Sequence, residues 1–383
     1  MYDVVVVGQG LTGLLSAIYA KQQNKKVALV AKGTGKNQQS TGLMGLLPGS
    51  TKGLAEWLKY FDFINQDKIM IKHGINHFKS LMDQGSYPYL GEIENPVPIV
   101  TASGHVKYTA LYPKSVTPII EGGRVVVVGF HEMIDFQPQF MKGNLLTARP
   151  KLTVETMKVK LGASSQRTMT QLDAARLLDQ KEVRERVISQ IKEKLNECKL
   201  SKVDMFIFPS ALGIHDWQDT LEHFRTELQA SITEAPGLPP NASAIRLNEV
   251  LQRKAIKLGV RFYLDSEVIG CKLRAEKLTQ ISVRSNHRIS QIKGSHFVLA
   301  TGGVLGGGLE VTTTNIKETA LQLPVDHNGA FIKKPINVYP VGAALGKNVY
   351  SHGITGGIYS IVSSYSANLQ IIKIEQNGGL QHA

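Results

Sequence analysis

The run DVVVVGQGLTG, residues 3–13, constrains the fold more than any other stretch of the chain. Four consecutive valines leave no polar face, so they predict a strand covered on both sides, as in a parallel sheet. Gly8, Gly10 and Gly13 follow at the G-x-G-x-x-G spacing. Leu11, Leu14, Leu15, Ile18 and Tyr19 then recur at helical spacing, to about Gln23. KKVALV, residues 25–30, returns as a second strand. Strand, glycine turn, helix and strand within about 30 residues make a βαβ unit of the dinucleotide-binding kind. Its glycines give the tight turn, the close approach of backbone to phosphate, and the close packing of helix on strand. The helix start adds free N–H groups and a positive dipole end. Gly8, Gly10, Leu11, Thr12 and Gly13 are therefore cofactor-binding candidates.

The fingerprint lacks one part. An acidic side chain about 20 residues past the first glycine is expected to hold an adenosine ribose. Here the positions read Ala31, Lys32, Gly33 and Thr34. The next segment, STGLMGLLPGS, is rich in small residues. A loop carrying Ser40, Thr41 and Gly42 can lie flat against a ring or ribityl chain, or serve as a plain connector.

Three separate strands end in glycine-rich turns: at Gly8–Gly13, at Thr301, Gly302 and Gly303 after HFVLA, and at Gly353, Gly356 and Gly357. In an open parallel sheet, ligands sit at the carboxyl ends of the strands. Converging turns of this kind suit a large planar cofactor with a phosphate tail better than a nicotinamide alone, and favour a flavin. RVVVVGFHEMIDFQ, residues 124–137, repeats the valine strand without the glycines, so it predicts a buried strand and no second phosphate loop. The pattern further predicts a helix near 53–84, one long polar helix over 171–198 and a buried strand in 203–213. A helix stopped by Gly259, a strand pair from 260 and a C-terminal helix over about 358–373 follow. The fold class is α/β: a Rossmann-like FAD/NAD(P)-binding domain over 1–54 and 236–383, with an inserted α/β domain over 55–235.

The chain has 383 residues, 42% of them apolar, which is ample for such cores, and a net charge of +13. A basic surface fits anionic lipid, an acidic protein or phosphate ligands. The dispersed lysines and the lack of RNA-binding aromatic motifs argue against nucleic acid. Cys198 and Cys271 are the only cysteines, too few for an iron–sulfur cluster or a Cys-rich zinc site, so no metal site is expected. They fit a reduced, cytoplasmic setting. No apolar run approaches the length of about 20 residues that spans a bilayer. MYDVVVV opens directly on a strand, which leaves no room for a signal peptide. Membrane contact is expected to be peripheral or through a partner.

Several strings together resemble one family. They are VVVGFHEMIDFQ, LPPNASAIRLNEVLQRKAIKLGV, FVLATGG and NVYSHG. In this order, over most of the chain, they are similar to the B subunit of anaerobic glycerol-3-phosphate dehydrogenase. Met133–Gln137 and the Pro239–Arg253 block weigh most, because neither is a general flavoprotein motif. The resemblance implies a flavoprotein with FMN assigned, FAD being the alternative. It also implies a catalytic FAD subunit and an iron–sulfur membrane-anchor subunit as partners. Such a complex oxidises sn-glycerol 3-phosphate to dihydroxyacetone phosphate and passes electrons to quinone. FMN has no adenosine, so its site needs no acidic hook, and Lys32 then becomes a candidate for a terminal phosphate. The chain departs from the family in a shortened segment over 308–348 and in GGIYSIVSSYSANL, where Ser360, Ser363 and Ser364 stand in for a denser glycine cluster. Flavin binding is then either kept through small side chains or lost.

Oxidising a CH–OH group through a flavin needs a base for the hydroxyl proton. The weak candidates are His352, beside a glycine turn, and His131, at the end of a buried strand; His215 is a third. The resemblance assigns substrate oxidation chiefly to the partner subunit. Arg246 and Arg253 are candidates for a phosphate, though a helix of this pattern more commonly carries exposed arginines, and Asp135 is a candidate for a turn cap. Two other readings stay open: a stand-alone FAD-dependent oxidoreductase, and a non-catalytic scaffold that kept the fold.

Overall fold

The computed structural model describes residues 1–46, 68–162, 168–200, 202–237, 239–286, 288–313, 315–346 and 357–380. In chain order the strands of the two main sheets and of one hairpin are β1 (Tyr2–Val7), β2 (Val27–Val30), β3 (Val97–Val100), β4 (Val106–Thr109), β5 (Gly123–Phe130), β6 (Leu152–Val159) and β7 (Met205–Pro209). They continue as β8 (Ser231–Ala235), β9 (Arg261–Tyr263), β10 (Ser266–Arg274), β11 (Lys277–Ser285), β12 (Arg288–Leu299) and β13 (Val338–Pro340). The helices are α1 (Leu11–Gln22), α2 (Lys68–Gln84), α3 (Pro138–Ala148), α4 (Gln171–Leu178), α5 (Lys181–Glu197), α6 (Trp217–Leu228), α7 (Ala242–Lys257) and α8 (Gly357–Leu380).

The described residues fall into two compact units. The first lies within Met1–Asn37, Leu54–Ser86 and Glu249–Ala383, the second within Gln38–Gly53 and Tyr87–Asn248. The sequence pattern placed the boundaries at 54/55 and 235/236. The compact units change near residues 37, 53, 86 and 248, so the first boundary has a counterpart and the second lies later. The 40–46 loop therefore packs with the second unit, and α2 with the first.

The first unit is built on a sheet of order β9-β2-β1-β12-β11-β10, with β13 also paired to β12. β1 runs parallel to β2 and β12, with Val4 beside Val27 and His296. All four valines of β1 are buried, as their unbroken run requires. Val5 and Val7 pack in a core with Ala28, Val30, Phe297, Leu299 and Val338. β12 pairs in both directions. Its end over 294–299 is parallel to β1, and its start over 288–293 is antiparallel to β11. The strand pair expected from 260 is formed by β10 and β11, and a further short strand, β9, precedes it. β9 extends the parallel side next to β2, and β10 joins the antiparallel side. Asp265, in the left-handed region at φ 48°, lies between them, and Ala31 bonds Tyr263 and Ser266 on either side of it. The C-terminal helix α8 is longer than the sequence pattern indicated, and packs against α1 and α2.

The second unit has a fully parallel sheet of order β8-β7-β5-β6. β5 is fully buried from Val125 through Phe130, and β7 over its whole length. The single polar helix expected over 171–198 is two helices, α4 and α5. The break at Asp179 has a physical cause. Its carboxylate accepts the backbone N–H groups of Ile214, His215 and Asp216, so it serves a distant loop rather than a helix interior.

Candidate functional site

The β1–α1 turn is assembled by close backbone packing. Gly8 donates its N–H to Val30 O, and Ala300 donates to Val7 O, both at 2.8 Å. Gly8 has φ 108°, and a Cβ there would lie 2.2 Å from Ala300 O. A Cβ on Gly13 would lie 2.0 Å from Gly8 O. Both positions therefore require glycine for packing alone. Gly10 differs, because a Cβ there would meet nothing within 4 Å. It is the N-cap of α1, no side chain caps the helix, and no acid stands in its first turn. The first-turn N–H groups have no intrahelical acceptors, and the positive end of the helix dipole faces the same way. This end of α1 is ready for an anion, beside a glycine whose missing side chain no protein atom requires.

The second glycine turn is brought to the first. Ala300 packs on Gly8, and Thr301, Gly302 and Gly303 follow directly. Gly302 is left-handed at φ 81°, and the turn is closed from behind by Gly306 and Gly308, whose N–H groups donate to Gly303 O. Thr12 is buried against Gly342. Leu11 is half-buried at the start of α1. Of the third turn, Gly353, Gly356 and His352 lie outside the described residues, and Gly357 opens α8. Ser360, Ser363 and Ser364 are buried, and the last two have structural partners. Ser364 Oγ donates to Thr12 O at 3.2 Å, and Ser363 Oγ accepts Gly342 N–H at 2.9 Å. These two hydroxyls tie α8 to α1 and to the 342 turn.

No acidic residue occurs in the sequence directly after β2, residues 31–40. Lys32 is exposed, and its ammonium is 2.7 Å from Glu267 Oε1 in an ion pair. This contact partly offsets the charge that the sequence offered to a terminal phosphate. The sequence pattern gave no sign of Gln9, which lies between the first two glycines and is buried. Its Nε2 donates to Gly33 O at 2.7 Å, which fixes the orientation of the amide. Its Oε1 is buried with no hydrogen-bond partner among the described residues. An uncapped helix start, a glycine cradle and an orphan acceptor beside it fit the phosphate and ribose end of a nucleotide cofactor.

Ser40, Thr41 and Gly42 belong to the second unit, where the 40–46 loop is firmly held. Asn241 Nδ2 donates to Ser40 O at 2.8 Å and Tyr89 OH to Gly42 O at 2.7 Å. Met44 pairs with Leu111 as an antiparallel bridge. Gly42 is left-handed at φ 74° and packs on Ser243. Asn241 and Ser243 come from the LPPNASAIRL string, so that string and the loop are one assembly.

The arginine candidates do not form a phosphate site. Arg246 is 2% exposed and bidentate to Glu234 at 2.7 and 3.0 Å. Its remaining N–H groups serve Leu212 O, Gly213 O and Ser115 Oγ, and its guanidinium lies over the rings of Tyr87 and Trp217. No donor is left for a ligand. The helical pattern around it had indicated an exposed arginine, but the acid that buries it, Glu234, lies on β8. Arg253 is exposed and bonds Glu249 O. Asp135 accepts Gln171 N–H at the start of α4, while Met133 and Phe136 are buried beside it, so the MIDFQ string is structural. His131 and His215 are exposed in the second unit. Lys107, on β4, also carried no signal in the sequence. It is half-buried, and burial pushes its ammonium below the usual lysine range. No group of three or more metal-ligating side chains occurs among the described residues, and no described helix is long and apolar enough to cross a membrane.

Comparison with known proteins adds to this geometry. The model of the FAD binding domain family matches residues 3–358. A protein of Vibrio cholerae named as the B subunit of anaerobic glycerol-3-phosphate dehydrogenase is 26% identical over 85% of this chain and 79% of its own length. One of the same name from Mannheimia succiniciproducens is 24% identical over 80% of this chain and 75% of its own. Among solved structures, a 3-ketosteroid delta1-dehydrogenase from Sterolibacterium denitrificans aligns with 79% of this chain at 14% identity and a TM-score of 0.35; this chain spans about half its length, 48%.

Proposed function

The chain belongs to the FAD binding domain family, and from that premise we propose that it is the flavoprotein subunit of a quinone-linked anaerobic glycerol-3-phosphate dehydrogenase. One observation carries the flavin part. Gly8 and Gly13 are dictated by packing, whereas Gly10 is open beside an uncapped helix start. The relatives named as the B subunit of that dehydrogenase support the rest of the reading.

In this reading the first unit is the cofactor domain, and Gly8, Gly10, Leu11, Thr12 and Gly13 with Thr301, Gly302 and Gly303 hold the cofactor. The α1 amides receive phosphate oxygens, and Gln9 Oε1 receives a hydroxyl donor. The cofactor is FAD, in keeping with the family and the pyrophosphate-type turn. FMN is the second reading, favoured by the lack of an acidic residue directly after β2. A bound flavin supplies two-electron acceptance with stepwise release. Oxidation of sn-glycerol 3-phosphate to dihydroxyacetone phosphate removes two electrons and two protons from the secondary alcohol carbon and its hydroxyl. The electrons and two protons end on a quinone as quinol. Substrate oxidation falls to a partner subunit, in keeping with the exposed positions of His131 and His215, the two described base candidates, in the second unit. Membrane association is peripheral and runs through an iron–sulfur partner, with this chain on the cytoplasmic side.

The test is the chromophore. The purified chain should be yellow, and acid should release FAD; release of FMN selects the second reading. A colourless chain that takes up neither flavin refutes the redox role.

A further inference from the structure

An ion removed from water normally keeps a counter-charge or a set of hydrogen-bond partners. Lys107 has neither among the described residues. It stands on β4 opposite Ile99 of β3, where Ile99 forms a small apolar cluster with Leu43, Val116, Val97 and Tyr112. Leu43 belongs to the 40–46 loop, so the loop helps to dry the space around the lysine. Gly45 of the same loop is next to it. A Cβ on Gly45 would lie 3.7 Å from Lys107 Cε and 4.0 Å from its Nζ. The loop is not a loose cover, since Asn241, Tyr89 and Leu111 fix its backbone. The described residues thus place this ammonium, half out of water, against a fixed glycine. Its only resolved perturbation is desolvation. Such a group is a receptor awaiting an anion.

We propose that Lys107 and the 40–46 loop form an oxyanion subsite that takes the phosphate of a small phosphate monoester. The ammonium supplies the charge, Gly45 leaves room for the oxygens, and the apolar cluster strengthens the attraction by excluding water. Arg246, the more obvious cation of this unit, is closed off by Glu234. This inference rests on the reading that the substrate is phosphorylated, and it places a phosphate contact on this chain rather than only on a partner.

The experiment is calorimetric titration of inorganic phosphate, then of glycerol 3-phosphate, into the full chain and three variants. Any phosphate bound at the α1 turn contributes equally to all four, so the differences report on Lys107. Lys107→Met is expected to weaken binding about tenfold, and Lys107→Arg to stay within about threefold. Gly45→Asp keeps Lys107 but sets a carboxylate beside it, and is expected to abolish the same binding. Equal affinity in wild type and Lys107→Met, or no phosphate binding by wild type, overturns the subsite. Flavin content is read in the same samples. A wild type without flavin that still binds phosphate through Lys107 refutes the flavoprotein reading and leaves this one standing.

Discussion

Two strands of this chain carry the same five residues, Val-Val-Val-Val-Gly, one in each unit. β1 ends in Gly8, β5 in Gly129 followed by Phe130. Gly8 is left-handed and touches Ala300; α1 begins three residues later and presents an uncapped end. Gly129 is not left-handed, and a Cβ there would lie 2.6 Å from Pro138 Cγ. Its glycine makes room for α3, and the chain between them goes to burying Met133 and Phe136. A buried parallel strand is thus only a support. Whether it carries a phosphate site depends on the next five residues and on how soon the helix starts.

That contrast can be broken by substitution. The largest effect is expected away from both glycines, in the polar network of the second unit. Arg246→Met leaves the Glu234 carboxylate buried without its partner and should cost about 3–5 kcal/mol in denaturant unfolding. Adding Glu234→Leu should recover part of that loss. Gly13→Val comes next. Its side chain meets the Gly8 carbonyl, which backbone alone cannot yield, so about 1–3 kcal/mol and the bound flavin should both be lost. Gly129→Ala should cost about 1 kcal/mol through Pro138 and leave flavin content unchanged; loss of flavin there would break the contrast.

The smallest effect concerns pH. His296 on β12 is buried, with Tyr339 OH 3.2 Å from Nδ1 and Glu375 3.6 Å from Nε2. Burial lowers its pKa below 6.5, Lys25 and Lys277 act the same way, and Glu375 and Asp3 oppose them. The folded state then binds fewer protons than the unfolded one. The contribution is present above the unfolded value of 6.5 and is lost as pH falls through the lowered folded value. Thermal midpoints of wild type should drop across that window more steeply than those of His296→Gln.

What the sequence made legible follows the same contrast. The βαβ unit and its glycines were readable because their spacing is local. The difference between Gly10 and its two neighbours was not readable. It depends on Ala300, which arrives from nearly 300 residues away. The break at Asp179 was hidden for a like reason, since its partners are amides on another loop. Arg246 looked like a surface residue because Glu234 lies on a strand outside the helical pattern. Lys107 gave no signal at all, because a lysine in an alternating strand is ordinary until its surroundings are known.

The central claim is that the β1–α1 turn holds a flavin through Gly10, and titration of the flavin-free chain with FAD tests it most directly. Gly10→Ala adds a methyl group where no atom of the described residues lies within 4 Å, at φ −69°, which any residue adopts. The account predicts an unchanged thermal midpoint without flavin and an FAD affinity weakened about tenfold. Equal FAD affinity in wild type and Gly10→Ala would contradict it.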